Sequence, residues 1–366
     1  MTIRLSRALA LVLALVLALP LNGLKAENWL AKATEHRIVL KDFAFGTGET
    51  LPQVTIHALT LGEPRRNAKG EIVNAVMLLH GTGGDATSLL QPYFGDDMFG
   101  PGQPLDITRF YVISPSSLGH GRSSKPSDGL RLAFPAYDYD DMVRAQHRML
   151  TEGLGVTRLD VILGTSMGCM QSFVWGPMYP GFVRRFVPLA CNAIEIDGRN
   201  RMFRQAIIDG FRNDPAFANG TYTDPAALRQ GQEIYALMSL VAGGNPYRMQ
   251  AEAPTRETAE AMLALSRSRL LARAVDPIDT IYQFDASRNY NPAARLAEIT
   301  VPVLWINSAD DFINPPGLGA PEELAKRMPG ARFVLIPAGA ETFGHGTHSR
   351  PKLWMAHLLK FLEENP

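Results

Sequence analysis

The sequence predicts an α/β fold, a mostly parallel sheet with helices on both faces. Three observations carry that expectation. Short runs of β-branched and apolar residues recur along the chain, each run ends in a turn, commonly rich in glycine or proline, and a stretch with helical character follows. Strands buried on both faces are apolar throughout, and parallel neighbours need a helical crossover between them.

The elements follow in order. Residues 8–19 are an unbroken Leu/Ala/Val run preceded by Arg4 and Arg7 and closed by Pro20. At about 1.5 Å per residue the run reaches about 18 Å, short of the ~30 Å hydrocarbon core of a bilayer. A basic start, a short apolar run and small residues up to Ala26 predict a secretory signal peptide over 1–26, the alternative being an uncleaved signal anchor. Its removal deletes Arg4, Arg7 and Lys25 and leaves a mature chain of about −3, exported to the periplasm or beyond, without a stable membrane anchor.

Residues 72–79, 110–114, 159–163, 186–190, 301–307 and 332–336 read as sheet strands. From about 192 to 297 the strand signals stop. Helical stretches at 202–211, 226–240, 257–273 and 278–284 take their place, the third amphipathic, with Met262, Leu263, Leu265, Leu270 and Leu271 among Glu260, Arg267 and Arg269. The domain reading is therefore a core of 27–192 and 298–366, with 193–297 inserted as a helical lid over the carboxyl edge of the sheet, where sites of such folds lie. The loops 99–104 and 314–321 are expected at that same edge.

Composition narrows the function classes. The 366 residues are 46% hydrophobic and 20% charged, which excludes wholesale disorder, collagen and coiled coil. The 36 basic residues balance 36 acidic ones, so no general electrostatic footprint for nucleic acid exists. Two cysteines, Cys169 and Cys191, allow one disulfide at most; because disulfide geometry is demanding, the simpler expectation is two separate buried thiols.

The sharpest motif is Gly164-Thr165-Ser166-Met167-Gly168, a G-x-S-x-G sequence after the strand at 159–163. A tight strand-to-helix turn there would hold Ser166 proud of the sheet, at a helix N-terminus that favours developing negative charge. A serine hydroxyl needs a base, and the base an orienting carboxylate. Ser308-Ala309-Asp310-Asp311 follows one later strand and Phe343-Gly344-His345-Gly346 the next, so Ser166, Asp310 or Asp311, and His345 fall in working order on separate strand ends. His80-Gly81-Thr82-Gly83-Gly84 follows the strand at 72–79 and would supply a second oxyanion donor, the N–H of Thr82, beside that of Met167. No lysine follows these glycines, unlike a phosphate-cradling loop. His348 sits three residues from His345, but no third ligand accompanies the pair, so no metal is expected; His348 reads as a solvated or lid-contacting loop residue. His36, His57, His120, His147 and His357 read as surface or core-edge residues, and Trp175 and Tyr179 as helix packing.

With these residues in place, the chain resembles the homoserine O-acetyltransferase family within the α/β-hydrolase superfamily. The likeness runs through Asn74-Ala75-Val76, Phe99-Gly100-Pro101-Gly102, Leu105-Asp106, Arg109-Phe110-Tyr111, Leu118-Gly119-His120-Gly121 and Tyr139-Asp140-Asp141-Met142-Val143. It is most specific in Ser166-Met167-Gly168-Cys169-Met170-Gln171, Trp175 and Tyr179-Pro180. The resemblance implies an α/β-hydrolase fold and a Ser166–Asp311–His345 triad. Asp311 is preferred over Asp310 because the family's aspartate precedes Pro-Pro at +4 and +5, here Pro315-Pro316. The family also pairs through its lid helices, implying a homodimer. The sequence departs from the pattern in Thr165 and Cys169, which replace glycines, in the loop from His120 to Lys125, and in lacking a lid arginine that could be matched to a substrate carboxylate.

An exported protein does not meet acetyl-CoA, and water then resolves the acyl-enzyme. The expected function is an exported serine hydrolase cleaving a small acyl ester or thioester, with no cofactor. The alternatives are an acetyltransferase from CoA to a hydroxyl and a non-catalytic binding protein of the same fold.

Overall fold

The computed structural model describes residues 27–366; the expected signal peptide lies outside the described residues. Two strands absent from the sequence reading come first. β1 (Thr34–Ala44) and β2 (Thr50–Leu61) form an antiparallel hairpin in which Ile38 faces Ile56 and Leu40 faces Val54. Val54, Ile56 and Ala58 are buried while Thr55 and Leu59 are only half-buried. An edge hairpin with one face on the core shows period-2 alternation, which a search for continuous apolar runs passes over.

The remaining strands match the expected runs: β3 (Ala75–Leu79), β4 (Tyr111–Pro115), β5 (Val161–Thr165), β6 (Phe186–Leu189), β7 (Val303–Ser308) and β8 (Ala331–Ile336). The sheet order is β1-β2-β4-β3-β5-β6-β7-β8, parallel from β4 to β8. From β3 the chain turns outward to β4 and then crosses to β5 on the other side. The order thus reverses at β3, and the crevice beyond the carboxyl ends of β3 and β5 is the natural ligand position.

Side chains alternate across the sheet into two layers. Met77, Ile113, Ile162 and Trp305 pack against Met142 and Val143 of α2 (Tyr139–Arg148) and Met170, Phe173 and Trp175 of α3 (Met167–Met178). Val76, Leu78, Val112 and Leu163 pack on the other face against Phe94 and Met98 of α1 (Pro92–Met98) and Leu358 and Phe361 of α9 (Met355–Glu364). Trp175 is helix packing, as expected: it is buried and its indole N–H donates to Gln146 at 2.8 Å.

Between β6 and β7 the chain runs through α4 (Gly198–Arg212), α5 (Arg229–Gly243), α6 (Pro246–Glu252), α7 (Arg256–Leu271) and α8 (Pro277–Asp285). This segment has a small core of its own, Ile207, Ile208 and Phe211 against Leu228, Ile278, Ile281 and Phe284. It is tied to the body chiefly by polar contacts: Ser127 donates from its N–H and hydroxyl to Asp279, Arg131 donates to the carbonyls of Gly220 and Tyr222, and the Tyr282 hydroxyl donates to the Phe134 carbonyl. The amphipathic reading of α7 holds only in part: Met262, Leu270 and Leu271 are half-buried, Leu263 and Leu265 are exposed, and none of its residues is fully buried. Met262 and Leu265 line a cavity of ≈ 680 Å³ that separates this helix from Met249 and Phe343.

One loop is corrected. Gly102, Gln103 and Pro104 lie beside Asn74, Asp160 and Arg184, at the amino ends of β3, β5 and β6, because a segment that leads into β4 must enter from that edge. The loop after β7 does lie at the carboxyl edge, with Asn314 donating to the carbonyl of Ala190. Among the described residues no helix is long and apolar enough to cross a membrane.

Candidate active site

β5 ends at Thr165 and α3 begins at Met167, so one residue makes the whole turn. Ser166 makes it at φ 54°, ψ −111°, a conformation unfavourable for a residue with a Cβ. The flanking glycines are required by contact. A Cβ at Gly164 would lie 2.1 Å from the Gly168 carbonyl oxygen, and one at Gly168 would lie 2.3 Å from that of Leu79. Ser166 is anchored by its N–H to the Leu189 carbonyl at 2.8 Å.

The three side chains expected to meet do so. The Ser166 hydroxyl is 2.9 Å from His345 Nε2, and His345 Nδ1 is 2.8 Å from Asp311 Oδ2. Asp311 is buried, and its Oδ1 accepts the N–H groups of Ile313 and Asn314 at 2.8 and 2.9 Å. An acceptor at Nδ1 fixes the proton there and leaves Nε2 free to accept from serine. Asp310 is occupied elsewhere. Its carboxylate accepts from Ser308, Thr342, the Gly344 N–H and Asn245 of the helical segment, and so pins the His345 loop to both β7 and the cover.

The turn after β3 is held from behind by two histidines. His80 Nε2 accepts the Ser117 N–H at 3.0 Å, so its proton is on Nδ1, which donates to the Gly81 carbonyl at 2.8 Å. That carbonyl belongs to the same peptide unit as the Thr82 N–H, and in a trans peptide the two point in opposite directions. His120 Nε2 lies 3.0 Å from the Thr82 carbonyl, and the two rings are 5.1 Å apart. The sequence reading placed His120 at the surface or core edge. It is fully enclosed, and burial pushes its pKa down to about 3. Neither the Thr82 nor the Met167 N–H has a protein acceptor among the described residues.

Of the two readings of His348, the solvated one does not hold: it is partly buried in the wall of the cleft beneath the helical segment, its Nδ1 faces the His345 carbonyl, and burial together with the His345 ring pushes its pKa down to about 3. His345 already uses both ring nitrogens, so this pair is not arranged as a chelate.

The two departures at the nucleophile turn have structural partners. Thr165 donates its hydroxyl to the Leu79 carbonyl at 3.2 Å, which lets it occupy a buried position. Cys169 is bonded to Cys191, contrary to the expectation of separate thiols. Their Cα atoms are 5.9 Å apart because the first turn of α3 packs directly over the end of β6, an approach that 22 residues of separation do not reveal.

A cleft of ≈ 360 Å³ opens above these groups, bordered by Thr82, Ser166 and His345 from the body and by Arg204, Tyr235 and Phe284 from the helical segment. Arg204 was missed. It is 3% exposed, its Nε donates to Asn200 at 2.9 Å, and its Nη1 is buried with no partner. A signal was present: 204, 207, 208 and 211 form the buried stripe of α4, and an arginine on an otherwise apolar stripe is out of place unless something polar awaits it.

Residues 74–346 match the family model described as the alpha/beta hydrolase fold. A homoserine O-acetyltransferase of Methanohalophilus mahii is 28% identical over 77% of this chain and 62% of its own length. An ethyl acetate hydrolase of Pseudomonas veronii is 32% identical over 47% of this chain and 49% of its own. The chain thus spans about half to three-fifths of these two curated relatives. Among solved structures the acetyl esterase MekB superposes with a TM-score of 0.76 over 91% of this chain and 97% of that one, at 22% identity. The chain belongs to the alpha/beta hydrolase fold family and, within it, is similar to the homoserine O-acetyltransferases.

Proposed function

We propose that this protein is an exported serine hydrolase that cleaves a small acyl ester or thioester through an acyl-enzyme on Ser166. The observation that carries this reading is the continuous hydrogen-bonded line from Ser166 through His345 to Asp311. His345 Nε2 takes the serine proton as Oγ attacks the acyl carbon, and Asp311 stabilises the imidazolium. The oxyanion falls to the N–H groups of Met167 and Thr82, with His80 and His120 holding the Thr82 turn in place. His345 returns its proton to the leaving oxygen or sulfur. Water, deprotonated by the same imidazole, then releases the acid.

Export is supported by the Cys169–Cys191 bond, since structural disulfides persist outside the reducing cytoplasm. The ethyl acetate hydrolase relative supports a small ester as substrate. A second reading, acyl transfer to a hydroxyl, is favoured by Arg204, which borders the cleft and whose enclosed Nη1 has no partner: a guanidinium there suits an acceptor bearing a carboxylate. A decayed, purely binding role is disfavoured, because strain at Ser166 persists only where the surroundings maintain it. We also propose that the outer face of α7, where Leu263 and Leu265 are exposed, is covered by a second copy of the chain.

Labelling with a fluorophosphonate probe followed by peptide mapping tests the nucleophile, and modification is expected at Ser166 alone. Separate assays with p-nitrophenyl acetate and with acetyl-CoA plus homoserine divide the two readings. Homoserine-dependent CoA release that outpaces ester hydrolysis would replace the first reading with the second.

A further inference from the structure

We propose that the cleft continues into a subsite for an apolar arm of the substrate, between the splayed ends of α4 and α5. This rests on the hydrolase reading and specifies its substrate class. The two helices touch where glycine permits it: a Cβ at Gly231 would lie 2.2 Å from Phe211, and one at Gly210 2.9 Å from Ile234. Toward the other end they part around a groove of ≈ 300 Å³. Met202, Phe203 and Ala206 line it from α4, and Met238 and Val241 from α5, at the three- and four-residue spacings that put side chains on one helix face. The loop after β7 closes it with Phe312 and Ile313.

Two features make it a substrate subsite. Phe203 and Ile313 border both this groove and the cleft that holds Ser166, so an arm leaving the reacting centre passes between them. Its lining is apolar except for Asn200 and Arg199, and the Arg199 guanidinium lies 3.5 Å from the Phe312 ring centroid and donates to the Phe312 carbonyl. Met202, Val241 and Phe312 are 71%, 59% and 46% exposed, apolar surface that a hydrocarbon chain would cover. The occupant is therefore an alkyl chain of the ester. Arg204, one residue from Phe203 but on the buried stripe, meets the polar end.

The test is a chain-length series in two arms: p-nitrophenyl acetate to octanoate for a chain on the acyl side, and ethyl to octyl acetate for one on the alcohol side. In one arm kcat/KM should rise about two- to fourfold per methylene until the groove is filled. Ala206→Trp should lower the ratio of long to short substrate at least tenfold, and Val241→Asp, at an exposed position that tolerates charge, should do the same. Flat profiles in both arms with acetate hydrolysis intact would overturn the subsite, as would a gain that survives both substitutions. A change of solution mass in Val241→Asp with an unaltered profile would assign the groove to self-association and overturn it too. Loss of all ester hydrolysis in the wild-type protein would instead remove the hydrolase reading beneath it.

Discussion

Ten of the twelve residues of α3 are buried, whereas none of the sixteen in α7 is. The first helix carries the nucleophile turn and is wedged between sheet and α2; the second stands over a cavity at the outer side of the insertion. The difference teaches where precision is built. The reacting groups must be held to a fraction of an ångström, so they sit at strand ends clamped by close-packed helices and a disulfide. The cover has only to shape a cleft, and it is attached to the body largely by hydrogen bonds spread along its edges.

The largest effect should come from the precise half. Ser166→Ala is expected to lower turnover by about 10⁶, and His345→Ala comparably, because the triad members act as one unit. His348→Ala should be mild, since its ring packs edge-on against His345 and bonds to that residue's carbonyl but takes no part in the proton path. Steady-state hydrolysis of p-nitrophenyl acetate measures all three; more than a tenth of activity in Ser166→Ala would remove that residue from the reaction.

Next in size is the clamp behind it. Opening the Cys169–Cys191 bond frees a loop of 22 residues in the unfolded chain, which by chain entropy costs about 3 kcal/mol. Cys169→Ala with Cys191→Ala should shift the denaturant midpoint accordingly. Reductant should do the same to the wild type and nothing further to the double variant.

Acid should act on the two halves in opposite directions. His80, His120 and His348 have pKa values lowered by burial, so the folded site binds fewer protons than the unfolded chain. Their contribution to stability is full above the unfolded value of about 6.5 and is lost as pH falls below it, toward about 3 for His120 and His348. Asp279, which joins α8 to Ser127, has its pKa raised to about 6, chiefly by burial. Its contribution is present below about 4 and is lost as pH rises through about 6. Hydrogen exchange at pH 5.5 and 7.5 should therefore show the body opening more readily, and the α8 joint less readily, at the lower pH. Asp279→Asn should abolish the second response alone.

What the sequence made legible follows the same division. β3 to β8 were visible because strands buried on both faces are continuously apolar, and the site residues because chemistry at strand ends fixes residue type and order. The β1–β2 hairpin was not, since its signal is alternation. Arg204 was overlooked because one arginine on an apolar stripe looks like noise until the fold shows what the stripe faces. The disulfide depends on where α3 lands on β6, and His120 on where its loop meets the Thr82 turn; both are tertiary facts with no local pattern. In α7 the sequence promised more burial than the chain by itself provides: Met262, Leu270 and Leu271 are half-buried, while Leu263 and Leu265 are exposed.

The smallest expected effect on stability is therefore the most informative about the cover. Leu263 and Leu265 are 44% and 52% exposed in the single chain. Replacing Leu265 by Lys should change the unfolding free energy of a monomer by no more than about 0.5 kcal/mol, as for other surface positions. If a second copy covers α7, the same substitution buries an unpaired ammonium in the interface, and light scattering should show the mass halving while ester turnover persists. A wild-type mass equal to one chain at micromolar concentration, with Leu265→Lys indistinguishable from it, would show that α7 needs no second copy. Leu263 and Leu265 would then be free apolar surface, and loose packing of the cover would be a property of the chain alone.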